Sequence, residues 1–238
     1  MSDLPNGNAA IGQSGGPTAV INQSLAGVVE GLQTGLVASG TVKHIFGMRP
    51  GVRGIAKDGG DLVDLTKMSA AALEAIANTP SAALGSTRDK PDDAYCAQIL
   101  EGCRQNDIRY FFYIGGNDSA DTCRIVNEKA AEAGYEMRCF HVPKTIDNDL
   151  KENDHAPGFA SAARFVTRAH MGDALDTASL GGIKLNVVRG RQAGFLPAAA
   201  SRARCCRETD KDAAKRPAPH LIYVPEVPFV MDHFPHDV

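Results

Sequence analysis

The 238-residue chain is 43% hydrophobic and 22% charged, with a formal net charge of -3 and a pI near 6.2. That balance supports a packed globular core, as one large α/β domain or two small ones. It excludes the broad basic footprint of a nucleic-acid or membrane-surface binder, while a local phosphate site needs only a few cations and backbone amides.

From the N-terminus, MSDLPNGNAAIGQ has neither a basic n-region nor an apolar h-region, so no signal peptide is expected. No apolar run approaches the ~20 residues of a membrane helix, and the expected setting is the cytoplasm. Residues 9–13 read as a strand, followed by a Gly-Gly-Pro turn. Pro17 suits the first turn of a helix on which Val20, Ile21, Leu25, Val28, Val29 and Leu32 recur at helical spacing. A strand is expected over residues 42–46, then Gly-rich loops with a short hairpin over 47–61. Ser69 can N-cap an Ala-rich helix ending near Asn78. A brief strand near Ala82, a helix over 92–105 and a strand over 109–114 follow. Next come a helix from Ser119 to about Gly134 and a strand over 137–142. Loop chemistry fills 143–157, and a long helix runs from Gly158 to about Ala178. Residues 184–188 read as a strand, 194–203 as a helix and 221–224 as a strand. The charged stretch 201–219 reads as a solvated helix end plus a loop. This alternation implies a doubly wound, mostly parallel α/β sheet with helices on both faces and ligands at the strand carboxyl ends.

The six cysteines, Cys96, Cys103, Cys123, Cys139, Cys205 and Cys206, show no CxxC spacing and no histidine cluster. Zinc is not expected, and reduced structural thiols are. Cys96 and Cys103 fall on one predicted helix, where they suit core packing.

Phosphate chemistry is written in the turns. Gly12-Gln13-Ser14-Gly15-Gly16-Pro17-Thr18 joins a strand to a helix. Glycines let amides approach an anion and the helix N-terminus adds its dipole, yet such a turn also serves as a plain bend. Ile114-Gly115-Gly116-Asn117-Asp118-Ser119 repeats the arrangement. A carboxylate there can serve Mg²⁺, and Asp118 or Ser119 can equally cap the following helix. Pro143-Lys144-Thr145-Ile146-Asp147-Asn148-Asp149 is the most specific stretch. An aspartate there can take the proton of an attacking hydroxyl, and the lysine can neutralise phosphate charge. Turn preference alone accounts for Asn148 and little else. Gly85-Ser86-Thr87-Arg88 offers an arginine to phosphate oxygens, though a loop arginine is usually just solvated.

In order and approximate spacing these stretches resemble the phosphofructokinase family, from about Ala9 to the C-terminus. The pyrophosphate-dependent branch looks closest, because ATP-using members carry glycine where this chain has Lys144 and Asp118. A carboxylate at Asp118 would take the space and charge of the α-phosphate of ATP, leaving room for the shorter pyrophosphate.

The resemblance implies a Rossmann-like, phosphofructokinase-type lobe over 1–183 that binds the donor, and an incomplete substrate lobe over 184–238. It implies phosphoryl transfer from pyrophosphate to the 1-hydroxyl of fructose 6-phosphate, with ATP as the alternative donor and Mg²⁺ as cofactor. Asp147 matches the proton acceptor, with Lys144 and Thr145 beside it in the catalytic loop. Gly15, Gly16, Arg88 and Asp118 match donor-phosphate positions. Arg189-Gly190-Arg191 matches a Met-Gly-Arg substrate element, and Glu226, like Thr145 and Asp147, a sugar-binding position. Asn117 stands where the family has a Mg²⁺-binding aspartate, so the resemblance implies that ligation moves to Asp118, Asp147 or Asp149 or relies more on water. Gly182 stands near the place of an arginine that crosses a subunit interface. A homo-oligomer is implied, with neither nucleic acid nor membrane as partner. The chain stops at Val238, where relatives continue through a second lobe, so a silent phosphate-binding chain is the rival of another class. A lipid or nicotinamide-nucleotide kinase shares the Gly-Gly-Asp turn but not the TIDND loop.

Overall fold

Five strands form one sheet: β1 (Gly7–Gln13), β2 (Val42–Met48), β3 (Leu62–Asp64), β4 (Ile108–Gly115) and β5 (Arg138–Pro143). Their order is β3-β2-β1-β4-β5, with β3 antiparallel to β2 and every other pairing parallel. The computed structural model describes residues 4–56, 60–89, 92–205 and 218–234. It divides into compact units, residues 1–144, which hold the sheet, and residues 145–238.

Helices α1 (Ile21–Leu32), α2 (Arg53–Ala56), α3 (Ala70–Ala77), α4 (Asp93–Gln105) and α5 (Asn117–Glu132) cover the sheet. The near-continuous apolar run of β4 reflects burial on both faces. Tyr110 and Ile114 join Ile21, Leu25 and Val29 in one core, whereas Phe111 and Tyr113 join Ile99, Cys103 and Val126 in the other. Side chains alternate across a strand, so one segment feeds both cores. The winding reverses between β1 and β4, and their carboxyl ends open the crevice where such folds bind ligands. Both Gly-Gly turns lie there. Gly102 shows how closely α4 meets α2, since a Cβ on it would stand 2.0 Å from the Ile55 carbonyl oxygen.

Caps fall where the sequence places them. Ser69 Oγ accepts from Ala72 N at 3.2 Å to start α3, and Asp92 Oδ1 accepts from Tyr95 N at 2.8 Å to start α4. The first helix differs, because Pro17 precedes it rather than opening it. Thr18 Oγ1 donates to the Lys144 carbonyl at 2.7 Å, and Gln13 Nε2 reaches the Ile21 carbonyl and Asn22 Oδ1. These bonds hold the intervening loop out of helical geometry until Ile21. Residues 47–61 contain α2, and their hairpin return is β3. No strand forms at Ala82; instead Thr87 makes a single parallel bridge with Ser14.

The second unit carries α6 (Phe159–Leu180), α7 (Phe195–Ala199) and α8 (Arg202–Cys205). The helix expected over 194–203 is broken between α7 and α8. Thr167 Oγ1 ties α6 to α7 through the Ala199 carbonyl at 2.9 Å. The expected strands at 184–188 and 221–224 are not formed. Ile183, Leu185 and Val187 are 81%, 77% and 95% exposed, so the alternating apolar pattern has no sheet to join. A strand without a hydrogen-bonded neighbour has no ladder to hold it. Most of the charged stretch expected as a loop, including Cys206, lies outside the described residues. Among the described residues no helix is long and apolar enough to cross a membrane.

Candidate active site

Both glycine turns are built in the first unit. Gly15 adopts φ +76, open to glycine at no steric cost. A Cβ there would stand 3.0 Å from Lys144 Nζ. Lys144 follows β5 directly, is 6% exposed, and donates from Nζ to the Gly16 carbonyl oxygen at 2.8 Å. The sheet thus delivers a buried ammonium to the first glycine turn. Gly15 N donates to the Thr87 carbonyl at 2.8 Å, and Ser86 Oγ donates to the Gly15 carbonyl at 2.6 Å. Those bonds set the 85–88 segment beside the same turn, with Arg88 exposed.

The second turn, Gly115-Gly116, ends β4. Gly116 is the N-cap of α5 without a side-chain cap, and Asn117 and Asp118 are exposed in its first turn. The capping role open to Asp118 and Ser119 is therefore not taken. Ser119 is buried and its hydroxyl meets that of Ser14. From β5, His141 Nε2 lies 3.2 Å from the Gly115 carbonyl oxygen. Burial pushes the His141 imidazole below its ordinary 6.5, against the opposing pull of the Gly115 and Gly116 backbone. The neutral ring is favoured as a brace.

The loop from Thr145 to Asp149 belongs to the second unit. Thr145 Oγ1 accepts from Asp147 N at 3.2 Å and lies 3.4 Å from Asp149 Oδ1. Asn148 adopts φ 59 and staples the loop, donating to the Asp154 carbonyl at 3.1 Å and accepting from Ala156 N at 2.7 Å. Its role is structural. Asp147 Oδ1 is buried without a hydrogen-bond partner among the described residues, and Arg189 Nε lies 3.5 Å away. Buried carboxylate oxygens are nearly always satisfied, and here the Arg189 guanidinium faces Oδ1 without closing a hydrogen bond. Gly190 takes φ 119 against the Ala193 carbonyl, and Arg191 is exposed. Glu226 Oε1 accepts from Gly194 N at 2.7 Å, anchoring the 218–234 segment to the start of α7.

Lys144, Gly15 and Gly16 are thus brought together in one unit, and Thr145, Asp147 and Arg189 in the other. Ser14, Thr18, Ser86 and His141, which brace the turns, were not legible as site residues. Their only signal was position, each within or beside a glycine motif or a strand leading to one.

The sequence pattern described as Phosphofructokinase matches residues 8–238. The chain is 50% identical to a pyrophosphate–fructose 6-phosphate 1-phosphotransferase of Rhodospirillum rubrum, over 98% of this chain and 54% of that protein. It is 40% identical to the protein of the same name from Xanthomonas campestris, over 95% of this chain and 52% of that one. A crystal structure of a pyrophosphate-dependent phosphofructokinase from Nitrosospira multiformis superposes with a TM-score of 0.80 at 38% identity, covering 97% of this chain and 56% of that one. The chain spans about half the length of the curated relatives it matches.

Proposed function

This chain belongs to the phosphofructokinase family, and we propose that it moves a phosphoryl group from pyrophosphate to the 1-hydroxyl of fructose 6-phosphate. The observation that carries the proposal is Asp147 Oδ1, buried and without a hydrogen bond among the described residues, with the Arg189 guanidinium 3.5 Å away as its charge partner. A hydroxyl of the acceptor sugar gives its proton to that oxygen as it bonds to phosphorus. The bond from phosphorus to the bridging oxygen breaks, and inorganic phosphate leaves. Asp147 lies three positions after Lys144, so the covalent chain alone keeps their Cα atoms within about 11 Å.

On the donor side, the Gly16 amide, the Gly115-Gly116 turn and the Lys144 ammonium receive the phosphates, while the Gly15 amide holds the turn to the Thr87 carbonyl. The Lys144 ammonium is held at the first turn by the Gly16 carbonyl, where its charge strengthens hydrogen bonds to phosphate oxygens. Arg88 adds charge from the adjoining segment. Asp118 stands at the N-terminal end of α5, where its carboxylate disfavours the longer ATP. Pyrophosphate is also the substrate in the printed names of the relatives above. On the acceptor side we assign Thr145, Arg189, Gly190 and Arg191 to the sugar phosphate and Glu226 to the sugar. In the same reading residues 1–183 bind the donor and residues 184–238 belong to the substrate lobe.

Mg²⁺ fits the donor set. Among the described residues no group of three or more His, Cys, Asp or Glu side chains could hold an ion. Mg²⁺ commonly takes one or two protein oxygens and completes its shell with waters and substrate phosphates. The Asp118 carboxylate and the Asn117 amide oxygen would hold it, and when bound it neutralises charge on the phosphates. The proposed setting is the cytoplasm, in keeping with the free thiols of Cys96, Cys103, Cys123 and Cys139. Self-association as a homo-oligomer is part of the same proposal.

The test is a coupled assay on the purified chain with fructose 6-phosphate, Mg²⁺ and each donor in turn. Pyrophosphate should give the faster turnover. Faster turnover with ATP would overturn the donor assignment, and none with either donor would leave a phosphate-binding chain without catalysis.

A further inference from the structure

We propose that Ser14 and Ser119 are positioning residues whose paired hydroxyls lock the two glycine turns at the spacing a donor diphosphate requires. The inference rests on the donor site proposed above and names what holds that site in shape.

Ser14 lies one residue past β1 and Ser119 in the first turn of α5, so their side chains come from opposite turns of the crevice. Both are buried, at 7% and 3% exposure, and their Oγ atoms hydrogen-bond to each other. The backbone pairing between β1 and β4 reaches Ser14 N, which donates to the Ile114 carbonyl at 2.9 Å. Beyond it each strand enters its own Gly-Gly turn, and the hydroxyl pair is the next link across. Gly115 is what makes room for it. A Cβ there would stand 1.9 Å from Ser119 Oγ and 3.0 Å from Ser14 Oγ, so any side chain at 115 displaces the pair. The absence of a side chain at Gly115 is thus required by the bridge itself.

The bridge fixes two things. It sets the distance between the Gly16 amide and those of Gly116 and Asn117, which a two-phosphate anion must span. It also pins the first turn of α5, where Asp118 sits beside Ser119. Amides placed for one anion gain affinity because they need no rearrangement on binding.

The test is a double-mutant cycle with Ser14→Ala, Ser119→Ala and the pair. Pyrophosphate with Mg²⁺ and, separately, fructose 6-phosphate are titrated calorimetrically into the full chain, and melting temperatures are recorded alongside. Each single variant should bind pyrophosphate about fivefold to tenfold more weakly. The double variant should lose no more than the weaker single, because one bridge is broken only once. Sugar-phosphate affinity should stay unchanged. Additive losses, unchanged pyrophosphate affinity, or equal losses for both ligands in step with the melting temperature would overturn the proposal.

Amide hydrogen exchange keeps the two readings apart. Ser14→Ala should speed exchange at Gly116 and Asn117 across the crevice. If the unmodified chain does not bind pyrophosphate, the functional proposal falls, and the bridge is then judged by that exchange. Unaltered exchange on the far turn in both single variants would sink the bridge as well. Should one variant fail to fold, the other carries the same exchange measurement.

Discussion

Lys144 Nζ donates to the carbonyl oxygen of Gly16 at 2.8 Å, and the Lys144 carbonyl in turn accepts from Thr18 Oγ1 at 2.7 Å. The lysine is therefore fastened at both ends to the loop that follows β1. Replacing it with methionine keeps most of the buried stem and removes the charge. Lys144→Met should weaken pyrophosphate binding by about tenfold or more, the scale of a lost charge-assisted hydrogen bond. Calorimetric titration with pyrophosphate and Mg²⁺ reads the change.

Donor choice should follow Lys144 and Asp118 together. With both changed to glycine, the carboxylate that opposes the α-phosphate of ATP is gone, and so is the ammonium that serves the shorter donor. The double variant should lose turnover with pyrophosphate and gain relative turnover with ATP, so that the ratio of the two kcat/KM values moves by at least about tenfold. An unchanged ratio would remove these residues from donor selection.

The glycine turns, the strands that lead into them and the caps of α3 and α4 were legible because each has a local cause. Ser69 and Asp92 bond backbone amides within their own first turns, and β4 announces itself by a long apolar run. The hydroxyl pair of Ser14 and Ser119 was not legible, since it joins residues 105 positions apart and depends on which strands are neighbours. The delayed start of α1 was hidden for the same reason, as Lys144 lies 126 positions from Thr18. Residues 184–188 failed in the opposite sense. Their alternation of Ile183, Leu185 and Val187 is a strand pattern, but pattern alone supplies no neighbour to pair with.

Alkaline pH should destabilise the fold. Burial pushes the Cys103 and Cys123 thiols from an ordinary 9.0 up to about 12. It likewise pushes the Tyr113 phenol from 10.0 up to about 12, opposed by the Ser14 hydroxyl and the Val52 backbone. In the unfolded chain these groups release protons from about pH 9 upward, whereas the folded chain keeps them bound. The unfolded state then binds fewer protons, so stability is complete below that range and falls as pH rises toward about 12. Melting temperatures measured from pH 8 to 11 should drop by at least about 5 °C.

Gly102→Ala tests the contact between α2 and α4. Alanine is the better helix former by roughly 1 kcal/mol, but its methyl would stand 2.0 Å from the Ile55 carbonyl oxygen. Backbone cannot swing aside as a side chain can, so the clash should win and stability should fall by about 1–3 kcal/mol. Denaturant unfolding of the variant beside the unmodified chain gives the sign directly. A stabilised variant would mean that the two helices separate at little cost.

The role assigned to Asp147 is tested most directly by steady-state turnover of Asp147→Asn with pyrophosphate, fructose 6-phosphate and Mg²⁺. Asparagine keeps the shape of the side chain and cannot take the hydroxyl proton. The account predicts a kcat lower by about 10²–10⁴-fold, with KM for pyrophosphate little changed. Turnover close to that of the unmodified chain, or a loss confined to KM, would contradict it.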